Sequence, residues 1–383
     1  MKVLLDVSSV SLPLSGIGRY TLELARHLPA QKDVAQVSYL RGDTVLGSFD
    51  PAAIDPPAAV SGFRQWLKPL LPYKLLLGPY RRRKSRLLAA SLRSYNDYIY
   101  YSPNFSVPPV SGASAVTLHD LSVFHFPEFH PRDRVNYLRE QIHHSVAAAD
   151  HLLTDSEFVR AEVLQLFGLS AARVTAIPLG VDPVFRPHTQ QELAGVLRQW
   201  GLRPGGYVLS VGTIEPRKNL AGLLRAYRGL SPGLRKQYPL VIAGAYGWNS
   251  GALLDEIRQL RESAEVIYLD YVPEPDLPAL YAGAAVMAYF SFYEGFGLPV
   301  LEAMSSGVPV VCAAASALPE LCADAALQAE PRDVGAMTQA LQRALEDGAW
   351  RAAAIERGLA RSGAYTWQGT AAALVDVLRK IAA

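Results

Sequence analysis

Residues 291–310 read SFYEGFGLPVLEAMSSGVPV, and they predict a loop that runs directly into a helix. Two carboxylates, Glu294 and Glu302, stand eight positions apart in this stretch. The run Gly295-Phe296-Gly297 lies between them, and Pro299 suits the first turn of a helix, where its missing N–H has no partner to lose. We therefore expect Glu294 in the loop and Glu302 on the second turn of the helix that follows.

A loop and helix of this kind are suited to a small ligand that carries hydroxyls and negative charge. Glycines let the backbone approach a ligand closely. The start of a helix offers free N–H groups and the positive end of the helix dipole. Carboxylates accept hydrogen bonds from hydroxyls, so a sugar or a ribose is the natural partner of each Glu. On spacing alone a purely structural turn is an equally good interpretation, because loop glycines often serve only turns.

Composition and length indicate a folded chain of two domains. The chain has 383 residues, of which half are hydrophobic. No run of 18 apolar residues occurs, so we expect no transmembrane helix. Residues 1–7 resemble a first strand more than a signal peptide, which needs a longer apolar core. The two cysteines, Cys312 and Cys322, fit a reducing cytosol, and their spacing matches no metal motif.

The net charge of +2 is uninformative, but one segment is strongly basic. Between residues 56 and 96 there is no Asp or Glu and there are nine Lys or Arg, interleaved with aromatic and aliphatic side chains. Such a segment can lie on an anionic membrane. A solvated helical face and a nucleic-acid surface are the alternatives. We favour the membrane, with contact through residues 62–93, and expect no nucleic acid because no nucleic-acid motif is present.

Short β-rich runs alternate with helical patterns, which predicts parallel sheets flanked by helices. The alternation restarts near residue 205, after the turn-rich residues 178–187. We therefore predict two Rossmann-like, doubly wound domains that face each other across a cleft, joined near residue 185. The predicted strands are 3–7, 98–101, 115–118, 151–154, 174–178, 207–211, 240–243, 266–271, 285–289 and 308–312. The predicted helices are 18–28, 132–149, 157–167, 219–229, 251–263, 274–283, 298–306 and 334–347.

Two glycine-containing loops follow predicted strands. Residues 211–219, VGTIEPRKN, place Arg217 and Lys218 side by side at a strand end, where paired cations suit a diphosphate; two surface cations on a loop are the alternative. Residues 15–20, SGIGRY, resemble a dinucleotide fingerprint in which Thr21 replaces the last glycine. A glycine loop that opens a helix still suits a phosphate or a sugar.

His119 and Asp120 end another predicted strand and should face the cleft. The imidazole there can donate a hydrogen bond or move a proton. His125, Glu128 and His130 follow, but their spacing matches no zinc signature, and the chain has no Asp-x-Asp motif. We therefore predict that no metal is required and that positive charge on a leaving group comes from side chains and helix ends.

Together these residues resemble the retaining glycosyltransferases of family 4, a large, mannosyltransferase-rich family with a GT-B fold. The motifs occur in the family's order along nearly the whole chain. They are GIGRY (16–20), HD (119–120), TDSEF (154–158), IPLGVD (177–182), VGTIEPRKN (211–219), YEGFGLPVLEAM (293–304) and SALPE (316–320). One departure is Phe290-Ser291, where the family often has Pro-Ser. We assigned no chemical role to Glu320, which can cap the next helix.

The resemblance implies a role for each matching residue. Glu294 and the backbone of 295–297 would hold the hydroxyls of the donor sugar, Glu302 the ribose, and Arg217 with Lys218 the diphosphate. His119, with Asp120, would act beside the anomeric centre. The predicted catalytic residues are Glu294, His119 and Asp120. The predicted donor-binding residues are Arg217, Lys218, Glu302, Gly295, Phe296, Gly297, Leu298, Gly212 and Gly16, and the predicted acceptor-binding residues are Gly18 and Arg19.

The resemblance also implies the domain boundaries and the reaction. Residues 1–185 would bind the acceptor, 186–365 the nucleotide-sugar donor, and a C-terminal helix within 366–383 would cross back to the first domain. A hexose, mannose or rhamnose, would move from a GDP-sugar, or alternatively a UDP-sugar, to a lipid-linked saccharide with retention, as in O-antigen or exopolysaccharide assembly. The protein would be cytoplasmic and peripheral on the inner membrane. Other classes considered are a non-catalytic nucleotide-sugar-binding subunit, a sugar-nucleotide epimerase and, least favoured, an NAD oxidoreductase.

Overall fold

The computed structural model of this chain describes residues 1–12, 14–50, 88, 91–248, 251, 253, 257 and 265–382. The strands are β1 (Lys2–Asp6), β2 (Gln36–Arg41), β3 (Thr44–Leu46), β4 (Ile99–Ser102), β5 (Ser114–Leu118), β6 (His151–Thr154), β7 (Val174–Ala176), β8 (Val208–Val211), β9 (Leu240–Ala243), β10 (Val266–Leu269), β11 (Val286–Tyr289), β12 (Val310–Ala313) and β13 (Ala326–Ala329). The α-helices are α1 (Gly16–His27), α2 (Ser122–His125), α3 (Arg132–Ala148), α4 (Glu157–Phe167), α5 (Gln190–Gln199), α6 (Leu220–Arg228), α7 (Pro232–Gln237), α8 (Leu277–Ala282), α9 (Leu298–Ser305), α10 (Leu318–Cys322), α11 (Val334–Glu346), α12 (Gly348–Ser362) and α13 (Trp367–Ala382).

The strands form two sheets. Strands β1 to β7 make a seven-stranded sheet in the order β3-β2-β1-β4-β5-β6-β7, which is parallel except for the edge strand β3. Strands β8 to β13 make a six-stranded parallel sheet in the order β10-β9-β8-β11-β12-β13. Every residue of β5, β11 and β12 is buried, as expected for parallel sheets covered by helices on both faces. The predicted fold class, two Rossmann-like α/β domains, is confirmed.

Strand order determines where the functional loops meet. In the second sheet the order reverses between β8 and β11, and the loops after these two strands carry Arg217-Lys218 and Glu294. In the first sheet the order reverses between β1 and β4, and His119 directly follows β5, the neighbour of β4. Ligands of open parallel sheets bind outside the carboxyl ends of the strands at such reversals. Both sheets therefore direct their loops toward one region.

The last helix, α13, packs against α1 in the first half of the chain. Arg379 forms an ion pair with Asp33 at 2.9 Å, and the rings of Trp367 and Tyr20 lie 6.1 Å apart. A Cβ on Gly180 would lie 2.2 Å from the Trp367 backbone nitrogen, so this close crossing requires a glycine. The strands of the two sheets fall on either side of residue 185, and the boundaries at 185 and 365 stay predictions.

Several elements were not predicted. No strand was predicted at β2, β3 or β13, and no helix at α2, α5, α7, α10 or α12. The edge strands β3 and β13 keep part of their surface exposed, so they lack the long apolar run that marks a central strand. Most of the predicted helix 251–263 and nearly all of the basic segment 62–93 lie outside the described residues. Within the described residues, no helix has the length and apolar character needed to cross a membrane.

Candidate active site

A cleft of about 640 Å³ lies between the two domains and brings the predicted residues together. The predicted residues that line it are Gly16, Arg19, His119, Asp120, Gly212, Arg217, Lys218, Glu294, Gly295, Phe296, Gly297, Leu298 and Glu302. Gly18 is different: it is buried in the first turn of α1, where its N–H donates to Ser15 Oγ at 3.1 Å. Ser15 thereby caps the helix.

The loop before α9 has the shape that the two glycines permit. Gly297 has a φ of +117°, which a residue with a Cβ rarely adopts, and it is the residue from which α9 starts. A Cβ on Gly295 would lie 1.8 Å from the His119 carbonyl oxygen in the other domain. Gly295 is therefore a contact point between the domains, and Glu294 beside it is placed at the interface.

Glu294 is held by two cations from the loop after β8. Its carboxylate accepts from Arg217 Nη1 at 3.0 Å and from Lys218 Nζ at 2.7 Å. Burial alone would raise the pKa of the Glu294 carboxyl, but Arg217 and Lys218 lower it to about 2. Glu294 is thus a carboxylate at physiological pH, with its charge matched by cations.

The pKa values of the two cations shift in opposite directions. Burial lowers the pKa of the Lys218 amine, and Glu294 only partly offsets this effect. Burial also disfavours the Arg217 cation, but Glu294 and Asp120 raise its pKa above the ordinary value. Two further groups, not predicted, complete the cluster: Glu215 accepts from Arg217 Nη2 at 2.7 Å, and the Tyr289 hydroxyl accepts from Lys218 at 2.6 Å.

Glu302 lies on the second turn of α9, as predicted from Pro299, in a different environment. Burial raises the pKa of its carboxyl to about 7, although Arg19 partly counteracts this. The Arg19 guanidinium donates to Glu274 at 2.9 Å. Arg19, predicted to bind the acceptor, therefore lies on the Glu302 side of the cleft and links α1 to the second domain.

His119 uses both ring nitrogens within the protein. Nδ1 lies 2.7 Å from Asp155 Oδ2, and Nε2 lies 2.7 Å from the Pro103 carbonyl oxygen. A carbonyl and a carboxylate only accept hydrogen bonds, so this geometry favours a proton on each ring nitrogen. Burial would lower the pKa of the imidazole, but Asp155 raises it above the ordinary value. The motif TDSEF contains Asp155, but the sequence analysis gave it no role.

Asp120 points toward the cations of the second domain. Burial would raise the pKa of its carboxyl, but Arg217 and the hydrogen bonds from Ser122 lower it. Asp120 is therefore an anion that faces the guanidinium of the opposite domain.

Contacts on both sides of Glu294 lock its loop onto the first domain. The Tyr293 hydroxyl accepts from the Leu121 N–H at 3.2 Å and donates to Glu162. Ser156 Oγ donates to the Gly295 carbonyl at 2.7 Å. Tyr293 is 2% exposed, so these bonds are shielded from water. The residue that the resemblance assigns to the donor sugar is thus positioned by both domains.

Glu320 has a role different from the one considered from the sequence. Its carboxylate accepts from the backbone N–H groups of Glu157 at 3.0 Å and Phe158 at 2.9 Å. These are the first residues of α4 in the other domain, and not of a helix that follows Glu320. Glu320 is an N-terminal cap supplied across the domain interface.

Family models match both halves of the chain. The Glycosyltransferase Family 4 model matches residues 14–185, and the Glycosyl transferases group 1 model matches residues 200–361. A curated Escherichia coli protein, O-antigen chain mannosyltransferase B, is 38% identical over 368 residues, covering 96% of this chain and 97% of that protein. The chain belongs to glycosyltransferase family 4. It is a glycosyltransferase with the GT-B fold, as the sequence motifs predicted.

Other comparisons agree with this assignment. The D-inositol 3-phosphate glycosyltransferase of Acidothermus cellulolyticus is 31% identical over 61% of this glycosyltransferase and 54% of that protein. Sucrose-phosphate synthase from Thermosynechococcus elongatus superposes with a TM-score of 0.71 at 19% identity, covering 100% and 99% of the two chains. Anabaena Alr3699/HepE, solved with UDP and glucose, superposes with a TM-score of 0.72 at 18% identity, covering 99% of this chain and 100% of that chain. At these identities the two solved structures support the fold alone.

Proposed function

We propose that this glycosyltransferase transfers a mannosyl group, or its 6-deoxy relative, from a GDP-sugar to a hydroxyl of a lipid-linked saccharide during O-antigen or exopolysaccharide assembly. The full-length likeness to an O-antigen chain mannosyltransferase carries the choice of sugar and pathway. The cluster of Glu294, Arg217 and Lys218 supports the chemistry, because it combines a permanent carboxylate for sugar hydroxyls with cations for a diphosphate.

In the proposed reaction, each charged group of the cleft contacts a different part of the donor. The diphosphate of the donor approaches Arg217 and Lys218, and Glu294 remains the hydrogen-bond acceptor for the hexose. Cations placed beforehand stabilise the charge that develops on the leaving diphosphate. We propose that the acceptor hydroxyl attacks on the face from which the diphosphate leaves, so the anomeric configuration is retained. Held orientation and charge then suffice without a metal or a side-chain nucleophile.

Glu302 would bind the ribose of the nucleotide. Its carboxyl has a pKa of about 7, which leaves both the neutral and the ionised form populated near neutral pH. A ribose hydroxyl that donates a hydrogen bond to the carboxylate favours the ionised form. Arg19 and Glu274 lie on the same side of the cleft and connect the two domains there. Nucleotide binding and domain closure are therefore expected to reinforce each other.

A UDP-sugar is the second candidate donor, because a neighbour of the same fold was solved with UDP-glucose. A panel of GDP-, UDP-, ADP- and dTDP-sugars in a thermal-shift experiment separates the two. A ligand at about 100 times its Kd stabilises the protein by about 2.7 kcal/mol, which the melting temperature reports. Stabilisation by GDP-mannose and not by the others supports the proposal, and stabilisation by a UDP-sugar alone rejects the GDP donor.

Transfer itself needs a separate assay. Incubation with GDP-mannose and octyl α-mannoside, followed by NMR of the product, gives the anomeric configuration of the new bond. An α-linked product from the α-configured donor supports retention, and a β-linked product rejects it. Repetition with EDTA tests the proposed independence from metal. Tight nucleotide binding without transfer to any acceptor tried would favour a non-catalytic binding subunit.

Membrane attachment through residues 62–93 is also a proposal. Its basis is the composition of that segment, in which basic side chains are interleaved with apolar ones and no acidic side chain occurs. A lipid-linked acceptor would place the enzyme on the cytoplasmic face of the inner membrane.

A further inference from the structure

A chain of three side chains runs from the centre of the cleft into the wall formed by the first domain. Ser122 donates to Asp120 Oδ1 twice, from its hydroxyl at 2.7 Å and from its backbone N–H at 2.9 Å. His130 Nε2 lies 3.0 Å from Ser122 Oγ. All three residues line the cleft, and the sequence analysis gave His130 no function.

The direction of these hydrogen bonds fixes the form of the imidazole. The Ser122 hydroxyl has one proton, which points to Asp120, so Ser122 Oγ accepts a hydrogen bond from His130 Nε2–H. Burial lowers the pKa of His130, which favours the neutral ring. A neutral ring with its proton on Nε2 carries a free lone pair on Nδ1.

Nδ1 of His130 has no hydrogen-bond partner among the residues that the structure describes. The side chain is 7% exposed and borders the cleft. Buried polar nitrogens are nearly always paired in folded proteins, and an unpaired one in a cleft wall indicates a ligand group. A lone pair requires a donor, and the donors on the proposed substrates are the hydroxyls of the saccharides and of the ribose and the N–H groups of the base.

The position of His130 selects the acceptor and not the donor sugar. Glu294, Arg217 and Lys218 come from the second domain, whereas His130 lies on the opposite wall and joins through Ser122 to Asp120. The Trp248 ring lies 5.9 Å from the His130 ring, and its Nε1–H donates to the Phe129 carbonyl at 2.8 Å. Trp248 belongs to the second domain, so this corner of the cleft is complete only when both domains meet.

We propose that His130 Nδ1 accepts a hydrogen bond from a hydroxyl of the acceptor saccharide, with Asp120 and Ser122 as positioning residues that hold the imidazole in the required tautomer. The inference rests on the proposed function, because it needs a hydroxylated acceptor in the cleft. The inference goes beyond that function because it names a side chain, His130, that contacts the acceptor and explains the orientation of its ring.

Two substitutions of similar polarity test this role. His130→Asn places an amide oxygen near the position of Nδ1, whereas His130→Gln reaches the position of Nε2 and leaves nothing at Nδ1. We expect His130→Gln to raise the KM for octyl α-mannoside on the order of tenfold, the worth of about one hydrogen bond, and His130→Asn to stay within about threefold. Ser122→Ala should resemble His130→Gln, because the tautomer is then no longer fixed.

The controls separate this role from packing and from donor binding. The Kd for GDP should be the same in both His130 variants as in the unaltered enzyme. A role limited to packing or to the Ser122 contact predicts the reverse order, with His130→Gln the milder change. That order, or equal KM values for both variants, overturns the inference. If the unaltered enzyme neither binds GDP-mannose nor transfers mannose, the proposed function fails instead.

Discussion

Glu294→Gln is the change whose effect on stability follows most directly from the structure. The carboxylate is 6% exposed and contacts Arg217 at 3.0 Å and Lys218 at 2.7 Å. Glutamine has nearly the same shape, so packing is preserved while the negative charge is lost. Both cations then remain half-buried without this partner, and Glu215 stays paired with Arg217 but not with Lys218.

The expected loss of unfolding free energy follows from the pKa of the Glu294 carboxyl. It falls from an ordinary 4.5 to about 2 in the folded protein, which is equivalent to about 3 kcal/mol. Removal of one partner from a buried ion pair costs about 3–5 kcal/mol, which agrees. For a domain of this size the loss corresponds to a melting temperature lower by about 6–12 °C.

The sign of the pH dependence is fixed as well. Because the folded-state pKa is depressed, the contribution is complete above about pH 4.5 and disappears as the pH falls toward about 2. We therefore expect the difference in melting temperature between Glu294→Gln and the unaltered protein to be full at pH 7 and smaller at pH 4.

Thermal unfolding of four proteins provides the assay: the unaltered chain, Glu294→Gln, Lys218→Met and the double variant. Coupling between the two sites should make the double variant more stable than the sum of the single losses implies. Asp376→Asn is the control, because its ion pair with Arg379 is exposed and worth less than about 1 kcal/mol. If Glu294→Gln is no more destabilising than the control, the cluster does not hold the charges as described.

Three further changes have defined outcomes. Glu302→Gln should be as stable as the unaltered protein near pH 4.5 and more stable at pH 8, by up to about 3 kcal/mol, because a carboxyl whose folded-state pKa is raised to about 7 costs stability as the pH rises from 4.5 to 7. Urea unfolding at both pH values measures this, and an equal difference in unfolding free energy at the two pH values would contradict it. Gly295→Ala should abolish transfer but keep nucleotide binding, because its Cβ would lie 1.8 Å from the His119 carbonyl oxygen. Gly348→Ala is the control and should be fully active, because the space around Gly348 is open; the transfer rates of the two variants test the difference. Replacement of the four basic residues 81–84 by Ser should weaken sedimentation with anionic vesicles, and unaltered sedimentation would identify that run as an ordinary solvated face.

The fold was predictable where hydrophobic runs are long and bounded by turn residues. Strand β9 was predicted with the observed bounds, and β11 to within one residue, because each is a buried run with glycine or aromatic residues beside it. Strand β13 and the N-terminal β2–β3 pair were missed. Their burial depends on neighbours far away in the sequence, so their composition alone does not distinguish them from loops.

The candidate site was predictable in its residues but not in its contacts. Motif spacing placed Glu294 and Glu302 correctly before and on α9, because Pro299 and two glycines fix local backbone geometry. The same spacing does not predict the direction of the Arg19 side chain, which pairs with Glu274, 255 residues away in the sequence. Nor does it predict the hydrogen-bond partners of Glu320, which lie in the other domain.

The sequence by itself determined that this is a two-domain family 4 glycosyltransferase, and it identified the loop that carries Glu294. These properties follow from local backbone preferences and from the order of motifs. Only the tertiary structure decided how the two glutamates differ. Glu294 is buried beside Arg217 and Lys218 and stays ionised, whereas Glu302 is half-buried, and desolvation without comparable compensation raises the pKa of its carboxyl to about 7. Electrostatic energy depends on distance and burial, and both arise only when β8 and β11 become neighbours in the folded sheet.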